Sequence, residues 1–376
     1  MKSALKIILL AVLVLLLAAV VSRTWASPDM WLHWVALATT LLGVVAAGLS
    51  LRKPSGKPRW FHLRPVVVAV CSLFVGLFYF VMRVPAPMGE GPAGPPVDRQ
   101  AFAGTWSEQP VLLLSLGDSV STGYGAPSGM GYVDLLQRNL DDAYPDMAGC
   151  ELRKVLPNLK ERRLAANSTN SLQHVRDIQN LPVYGGDVFG IVCITTGGID
   201  LIHKYGKAKP REGAMYGADW ATAELWIANF NARLDEMMLA LKQKFPGGCV
   251  VLVATIYDPT DGVGDIENAG PLFWLPAWKD GYPVHTAFND AIKACAAKHD
   301  HVHVADIHAA MMGHGIHCRD EDNPHYDADD PSYWYWVNLE DPNRRGYDAI
   351  RRVFLNAIIR ALRAHRAFDV PAPAGP

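Results

Sequence analysis

Three short and nearly unbroken apolar runs, Val111–Leu116, Val188–Ile194 and Val250–Ile256, constrain the fold of this chain more than any other feature. A strand with one solvated face alternates apolar and polar residues, whereas a strand without alternation is covered on both faces. Between the runs lie longer stretches whose apolar residues recur at three- and four-residue spacing: Tyr132–Tyr144, Ala218–Phe245, Val284–His299 and Tyr347–Arg366. That spacing is the period of a helix with one buried face. Val302–Ile307 is a shorter strand candidate. Strand–helix alternation predicts parallel strands joined by right-handed crossovers, hence an α/β three-layer sandwich. Ligands of such sheets sit beyond the carboxyl ends of the strands, so any chemistry is expected just after each run.

The chain has 376 residues, enough for a sizeable core and something besides. Half of the residues are hydrophobic, and many are concentrated at the start. Three apolar segments, at about 4–21, 30–51 and 65–84, each approach the roughly 20 residues of a membrane-crossing helix. The first also reads as a signal peptide, with Lys2 and Lys6 ahead of it and Ala26 and Ser27 behind. The loop Arg52–Arg64 is strongly basic, while the loop before it carries only Arg23. Positive charge stays on the cytoplasmic side, which sends the third segment outward. The expected organisation is a multi-pass anchor over 1–84, a Pro/Gly-rich spacer over 85–105, a folded domain over 106–366 and a tail over 367–376. The localisation that follows is the cell membrane, with the C-terminal domain outside the cytoplasm and the bilayer as a partner.

A formal net charge of −2 argues against nucleic acid as a partner. The six cysteines include no CxxC pair; Cys193 and Cys249 read as buried thiols, and Cys150, Cys295 and Cys318 leave a disulfide open. No cofactor and no resident metal are expected.

The candidate chemistry falls where the sheet requires it. Gly117-Asp118-Ser119-Val-Ser121 follows the first run directly. A serine on a tight strand-to-helix turn presents its hydroxyl to the cleft, with main-chain N–H groups facing a developing oxyanion. Thr195-Thr-Gly197-Gly198-Ile199-Asp200 follows the second run. Asn338-Leu-Glu-Asp341-Pro-Asn-Arg-Arg-Gly-Tyr347 precedes the last helix.

In this order and spacing the three blocks resemble the SGNH (GDSL-type) hydrolases, over about Val111 to Leu362. The resemblance implies a flavodoxin-like fold and action on esters, acylated sugars or lipids. It makes Ser119 the nucleophile and places Gly117, Asp118, Gly197, Gly198, Asp200 and Asn338 in the cleft. The family's oxyanion glycine is replaced by Ala165-Ala-Asn167-Ser168-Thr-Asn-Ser171, where Asn167 or Ser168 is the nearest match.

Two departures stand out. Ile199 occupies the place of the family's oxyanion asparagine, and loss of one such donor typically costs on the order of 10²–10³ in rate. Asn338 and Asp341 align with the family's aspartate and histidine, and a carboxylate with an ordinary pKa near ~4 is a poor base for a serine. One reading brings the base from the histidine-rich insertion His301–Tyr335, which holds His303, His308, His314, His317 and His325. His317 or His325 is then the base and Asp341 orients it. A second reading uses a divalent metal on Asp118, Asp200 and Asp341 with a histidine and Asp320 or Asp322. A third is a catalytically degenerate module that binds an envelope glycan, lipid or protein.

Aromatic insertions at Pro271–Trp278 with Tyr282, and at Tyr333–Trp336, either stack on a ligand or pack the insertions onto the domain. Arg351, Arg352, Arg360 and Arg363 read as a solvated face of the last helix. The expectation is a membrane-anchored esterase or deacylase acting on a cell-envelope carbohydrate or lipid.

Overall fold

The structure, a computed structural model, describes residues 7–18, 31–50, 59–81, 88–269, 275–336 and 338–373. The chain divides into two units, one of residues 1–88 and a larger one of residues 89–269 and 275–376.

The first unit holds three helices, α1 (7–18), α2 (Trp31–Ser50) and α3 (Arg59–Val81). Leu13, Ala46, Ala47 and Ala69 form its small buried cluster. Large apolar side chains remain exposed, among them Ile7, Leu15, Leu42 and Phe74. Among the described residues no helix is long and apolar enough to cross a membrane, so the three expected spans are not supported. The described part of α1 covers roughly 18 Å at ~1.5 Å per residue, against roughly 30 Å of hydrocarbon. α3 begins on Arg59, before the expected segment, and contains Pro65.

The second unit is built on a parallel sheet of β1 (Val111–Leu116), β2 (Leu159–Arg163), β3 (Phe189–Ile194), β4 (Cys249–Ala254) and β5 (Val302–Ala305), in the order β2-β1-β3-β4-β5. This is the flavodoxin-like order that the resemblance implies, with its switch point between β1 and β3. Every residue of β1, β3 and β4 is buried, which is why these strands read as apolar runs. β2 has no such run. It is an edge strand, Leu-Lys-Glu-Arg-Arg, with only Leu159 buried.

The helices of this unit are α4 (Ser119–Thr122), α5 (Tyr132–Gln137), α6 (Leu152–Val155), α7 (Ser171–Gln179), α8 (Gly198–Ile202), α9 (Trp220–Lys244), α10 (Gly281–Lys298), α11 (Ile307–Met311) and α12 (Arg344–Arg363). α7, α9 and α10 pack together on one side of the sheet, and α5, α11 and α12 on the other. On the first side Leu112, Leu114, Val192, Ile194, Val251 and Val253 meet Phe230, Leu234 and Met238 of α9 and Phe288 and Ile292 of α10.

α12 departs from the solvated face expected of it. Arg351 and Arg352 are buried and converge on buried Asp348, with Nε donating at 2.7 and 3.0 Å. Charges at helical spacing look alike in sequence whether water or a carboxylate receives them. The expected spacer and tail are docked as well. Arg345 donates to Pro92 O, Asn356 to Pro96 O and Arg363 to Asp98 and Pro371 O, so the unit begins at Gly89 and includes the tail. Cys150, Cys193, Cys249, Cys295 and Cys318 are buried free thiols, and the open disulfide is not formed.

Candidate active site

β1 ends in a turn that only glycine fits. Gly117 has φ of 143°, and a Cβ there would meet Thr195 Oγ1 at 2.2 Å. The next residue, Asp118, caps α4, its Oδ1 accepting from Val120 N at 3.1 Å. Ser119 follows as the first residue of α4. It lines a cavity of about 130 Å³ at the carboxyl ends of β1, β3 and β4. Thr195, Thr196, Gly198, Ile199, Thr255, Ile256, Tyr257, Leu339 and Glu340 line it too, and Tyr205, Tyr216, Trp278 and Tyr282 give it aromatic walls.

Asp118 is held from beneath by hydroxyls. Thr195 donates to its Oδ1 at 2.8 Å, Ser121 Oγ lies 2.9 Å from Thr195 Oγ1, and Tyr132 OH lies 2.7 Å from Ser121 Oγ. Each hydroxyl has one proton, so with Thr195 committed to Asp118 the chain runs from Tyr132 through Ser121 and Thr195 to the carboxylate. Burial pushes the Asp118 carboxyl up to about 7, the Thr195 bond opposes that, and the neighbouring Asp341 adds to it.

Asp341 stands beside Ser119. It is 1% exposed, and Asn338 Nδ2 donates to its Oδ2 at 2.6 Å while Asn338 Oδ1 accepts from its main-chain N at 3.2 Å. Its Oδ1 is buried without a hydrogen-bond partner. Burial lifts the Asp341 carboxyl above the ordinary range, and the Ser119 hydroxyl and Asn338 pull it back. Ser119 thus acts on the charge of Asp341 as a near donor, although no donor meets Oδ1 at a normal hydrogen-bond distance and angle. Burial also raises Glu340, Tyr205, Tyr257 and Tyr347.

Other expected site residues lie elsewhere. His317 donates its main-chain N–H to Asp261, and its Nε2 lies 2.9 Å from Asp265 Oδ1. The imidazole of His325 packs at Gly262, and its main-chain N–H donates to Asn323. Neither lines the cavity: the insertion folds back onto the 258–265 loop, which Asp261 pins by accepting from the N–H groups of Gly313, Gly315 and His317. His314 stacks on Trp334, and His308 lies against His285.

Asp200 is also turned away. It accepts from Ser171 N at 2.8 Å and Ser171 Oγ at 2.6 Å, tying α8 to α7. Asn167 accepts from Thr122 Oγ1 at 2.6 Å, and Ser168 is an exposed residue with φ of 62°. Neither lines the cavity. Gly197, with φ of 97°, lies under Ile256 and Phe230. The metal set of Asp118, Asp200, Asp341 and Asp320 or Asp322 is not assembled. Among the described residues the group with metal-ligand spacing is Asp235, Cys295 and His299, near the amino end of β5, where Asp235 already pairs with Lys298 and His299.

Of the aromatic insertions, Trp278 and Tyr282 line the cavity, Tyr333–Tyr335 are buried packing, and 271–274 lie outside the described residues. The sequence reading gave Thr195 no role of its own within its block, and gave none to Tyr257, His285 or Glu340. The first two directly follow or nearly follow β3 and β4, so the strand-end rule was sufficient to find them; nothing local marks His285 near the start of the α10 pattern.

With this geometry in place, residues 115–349 match the GDSL-like Lipase/Acylhydrolase family. Among curated proteins no sequence matches. Similar solved structures include TesA (18% identity, covering 67% of this chain and 98% of that one, TM-score 0.36). A mutant of Axe2, an acetyl-xylooligosaccharide esterase from Geobacillus stearothermophilus, shares 14% identity over 68% of this chain and 96% of that one, TM-score 0.42. A lipase/acylhydrolase from Enterococcus faecalis shares 14% over 69% and 98%, TM-score 0.40.

Proposed function

The chain belongs to the GDSL-like lipase/acylhydrolase family, and from that premise we propose that it hydrolyses a small ester through an acyl-enzyme on Ser119. The observation that carries the reading is the position of Ser119 at the wall of an apolar, aromatic cavity. Such a cavity suits the acyl part of an ester, and it holds the carbonyl of that acyl group against the Ser119 hydroxyl. The ester class fits a short acyl group on an envelope carbohydrate or lipid.

The cellular setting belongs to the same proposal. The exposed apolar side chains of α1–α3 support attachment of the protein to a bilayer. That the hydrolase unit lies outside the cytoplasm is proposed from the charge of the basic stretch 52–64 alone, without a span among the described helices. Protease accessibility on intact cells tests it, and a protected C-terminal unit counts against it.

The activity is tested with p-nitrophenyl butyrate and a fluorophosphonate label. Hydrolysis and labelling are expected in the wild type and both are expected to vanish in Ser119→Ala. Wild-type rates in Ser119→Ala sink the reading, and a wild type that neither turns over nor labels at any pH makes the cavity that of a binding module.

A further inference from the structure

A serine hydroxyl needs a partner to take its proton, and the insertion histidines are not available for that role. His317 is committed to Asp265 and His314 to Trp334 and Ser332, while His325 packs at Gly262; outside the insertion, His174 is held by Thr196 and Thr169. His285, which does line the cavity, donates from Nε2 to Ile256 O, and its Nδ1 is buried and also unpartnered, on a ring packed against His308. One acceptor atom beside Ser119 is still open. Asp341 Oδ1 is buried and unpartnered, and the carboxyl that bears it is fixed through its other oxygen by Asn338 at 2.6 Å.

We propose that Asp341 itself is the general base, so that the site works as a serine–carboxylate pair with Asn338 as the positioning residue; this rests on the ester-hydrolase reading of Ser119. Asn338 fits the task as a neutral group. A carboxylate there would repel Asp341, whereas the amide donates to Oδ2, accepts from the main-chain N–H and leaves Oδ1 directed at its own task.

The surroundings make a carboxylate competent. Asp341 is lifted above its ordinary range by burial, and it lies near enough to Asp118, Glu340, Tyr205, Tyr257 and Tyr347 for its charge to raise each of them. A base is most effective when its pKa approaches the working pH. The same burial acts against imidazole, pushing buried His174 down to about 4.

The step balances without a further reagent. The Ser119 oxygen bonds to the ester carbonyl carbon as its proton passes to Asp341 Oδ1, and the carbonyl π pair moves onto the carbonyl oxygen. When that pair returns, the bond to the alcohol oxygen breaks, and the departing oxygen takes the proton from Asp341. Water then repeats the sequence on the acyl-enzyme, with Asp341 accepting its proton and returning it to Ser119.

The test uses the full chain, p-nitrophenyl butyrate and the pH profile of kcat/KM. Wild type is expected to gain activity with rising pH through a midpoint above that of an ordinary carboxylate. Asp341→Asn is expected to lower kcat by about 10²–10⁴ with KM little changed. Asn338→Ala is expected to lower kcat less and to move the midpoint. If Asp341→Asn does not fold, the wild-type profile and Asp341→Glu decide. A profile flat from acid to alkaline pH overturns the proposal, as does a midpoint unmoved in both Asp341→Glu and Asn338→Ala. Wild-type turnover in Asp341→Asn with Ser119→Ala inactive overturns the base and leaves the hydrolase reading standing. Wild-type turnover in Ser119→Ala removes that reading itself.

Discussion

Asp118 stores the clearest stability signal in the molecule. Burial lifts its carboxyl from 3.8 to about 7. A carboxyl whose folded pKa is raised binds its proton more tightly in the folded state. Its contribution to stability is therefore complete below the unfolded value and lost as pH rises through about 7. A shift of roughly 3 units at about 1.4 kcal/mol each sets a ceiling near 4 kcal/mol. Between about pH 5 and about pH 8 the linkage relation leaves about 2–3 kcal/mol of that to be lost. Asp118→Asn removes the titration but keeps a side-chain oxygen for Val120 N–H and the Thr195 hydroxyl. It also relieves Asp341 of a neighbouring charge, which acts in the same direction. Urea unfolding followed by tryptophan fluorescence at the two pH values, for both proteins, yields the difference of differences. Wild type is expected to lose about 2–3 kcal/mol more than the variant on going to the higher pH. A difference below about 0.5 kcal/mol, or one of opposite sign, refutes the claim that this carboxyl is desolvated in the fold.

Two other substitutions report on the site and on its scaffold. Ile199→Asn puts a donor where the family resemblance has its oxyanion asparagine; kcat on p-nitrophenyl butyrate is expected to rise by about 10-fold or more, and the acid limb of kcat/KM to shift to lower pH as the cavity becomes more polar. Unchanged kcat and an unchanged limb tell against Ile199 facing the reacting carbonyl. Arg351→Met removes a fully buried guanidinium that serves Asp348 and Asn139 Oδ1, the latter at 2.6 Å. Arg352 and the Ala93 N–H are then left to Asp348, and a loss of about 3–5 kcal/mol in urea unfolding is expected.

Much of the sheet was legible because its central strands are buried on both faces and spell that out as Val111–Leu116, Phe189–Ile194 and Cys249–Ala254. The strand-end rule then placed Ser119 and the Thr195 turn correctly beside one cavity. Edge strand β2 escaped because a half-solvated charged strand has no such signature. The docked segment from Gly89 escaped for a related reason. Proline and glycine report that a helix is impossible, not that the segment is free, and here its carbonyls find Arg345 and Asn356. Asp200 was expected in the cleft from its place in a motif, yet its direction is set by Ser171, which no local pattern announces. The histidines of the insertion were misjudged because reach over a cleft depends on where the loop is pinned. That pin is Asp261, a residue with φ of 51° whose carboxylate gathers three main-chain N–H groups.

The departures from the family pattern make physical sense together rather than singly. Loss of the asparagine at 199 leaves an apolar side chain on the cavity wall, only 6% exposed. A drier wall raises the cost of charge, and that cost moves acids and bases in opposite directions. Imidazole becomes harder to protonate when buried, as His308, outside the cavity lining and pushed down to about 4, illustrates. A carboxylate becomes easier to protonate, as Asp118, pushed up to about 7, illustrates. Among the groups for which burial is nearly complete, a carboxylate comes nearest to neutrality in its affinity for a proton. A histidine at 341 would need both a wetter pocket and an anionic partner at 338 to hold its proton. Asn338 and Asp341 therefore form one consistent pair, in which the burial of Asp341 supplies the basicity that the family resemblance assigns to an aspartate–histidine pair.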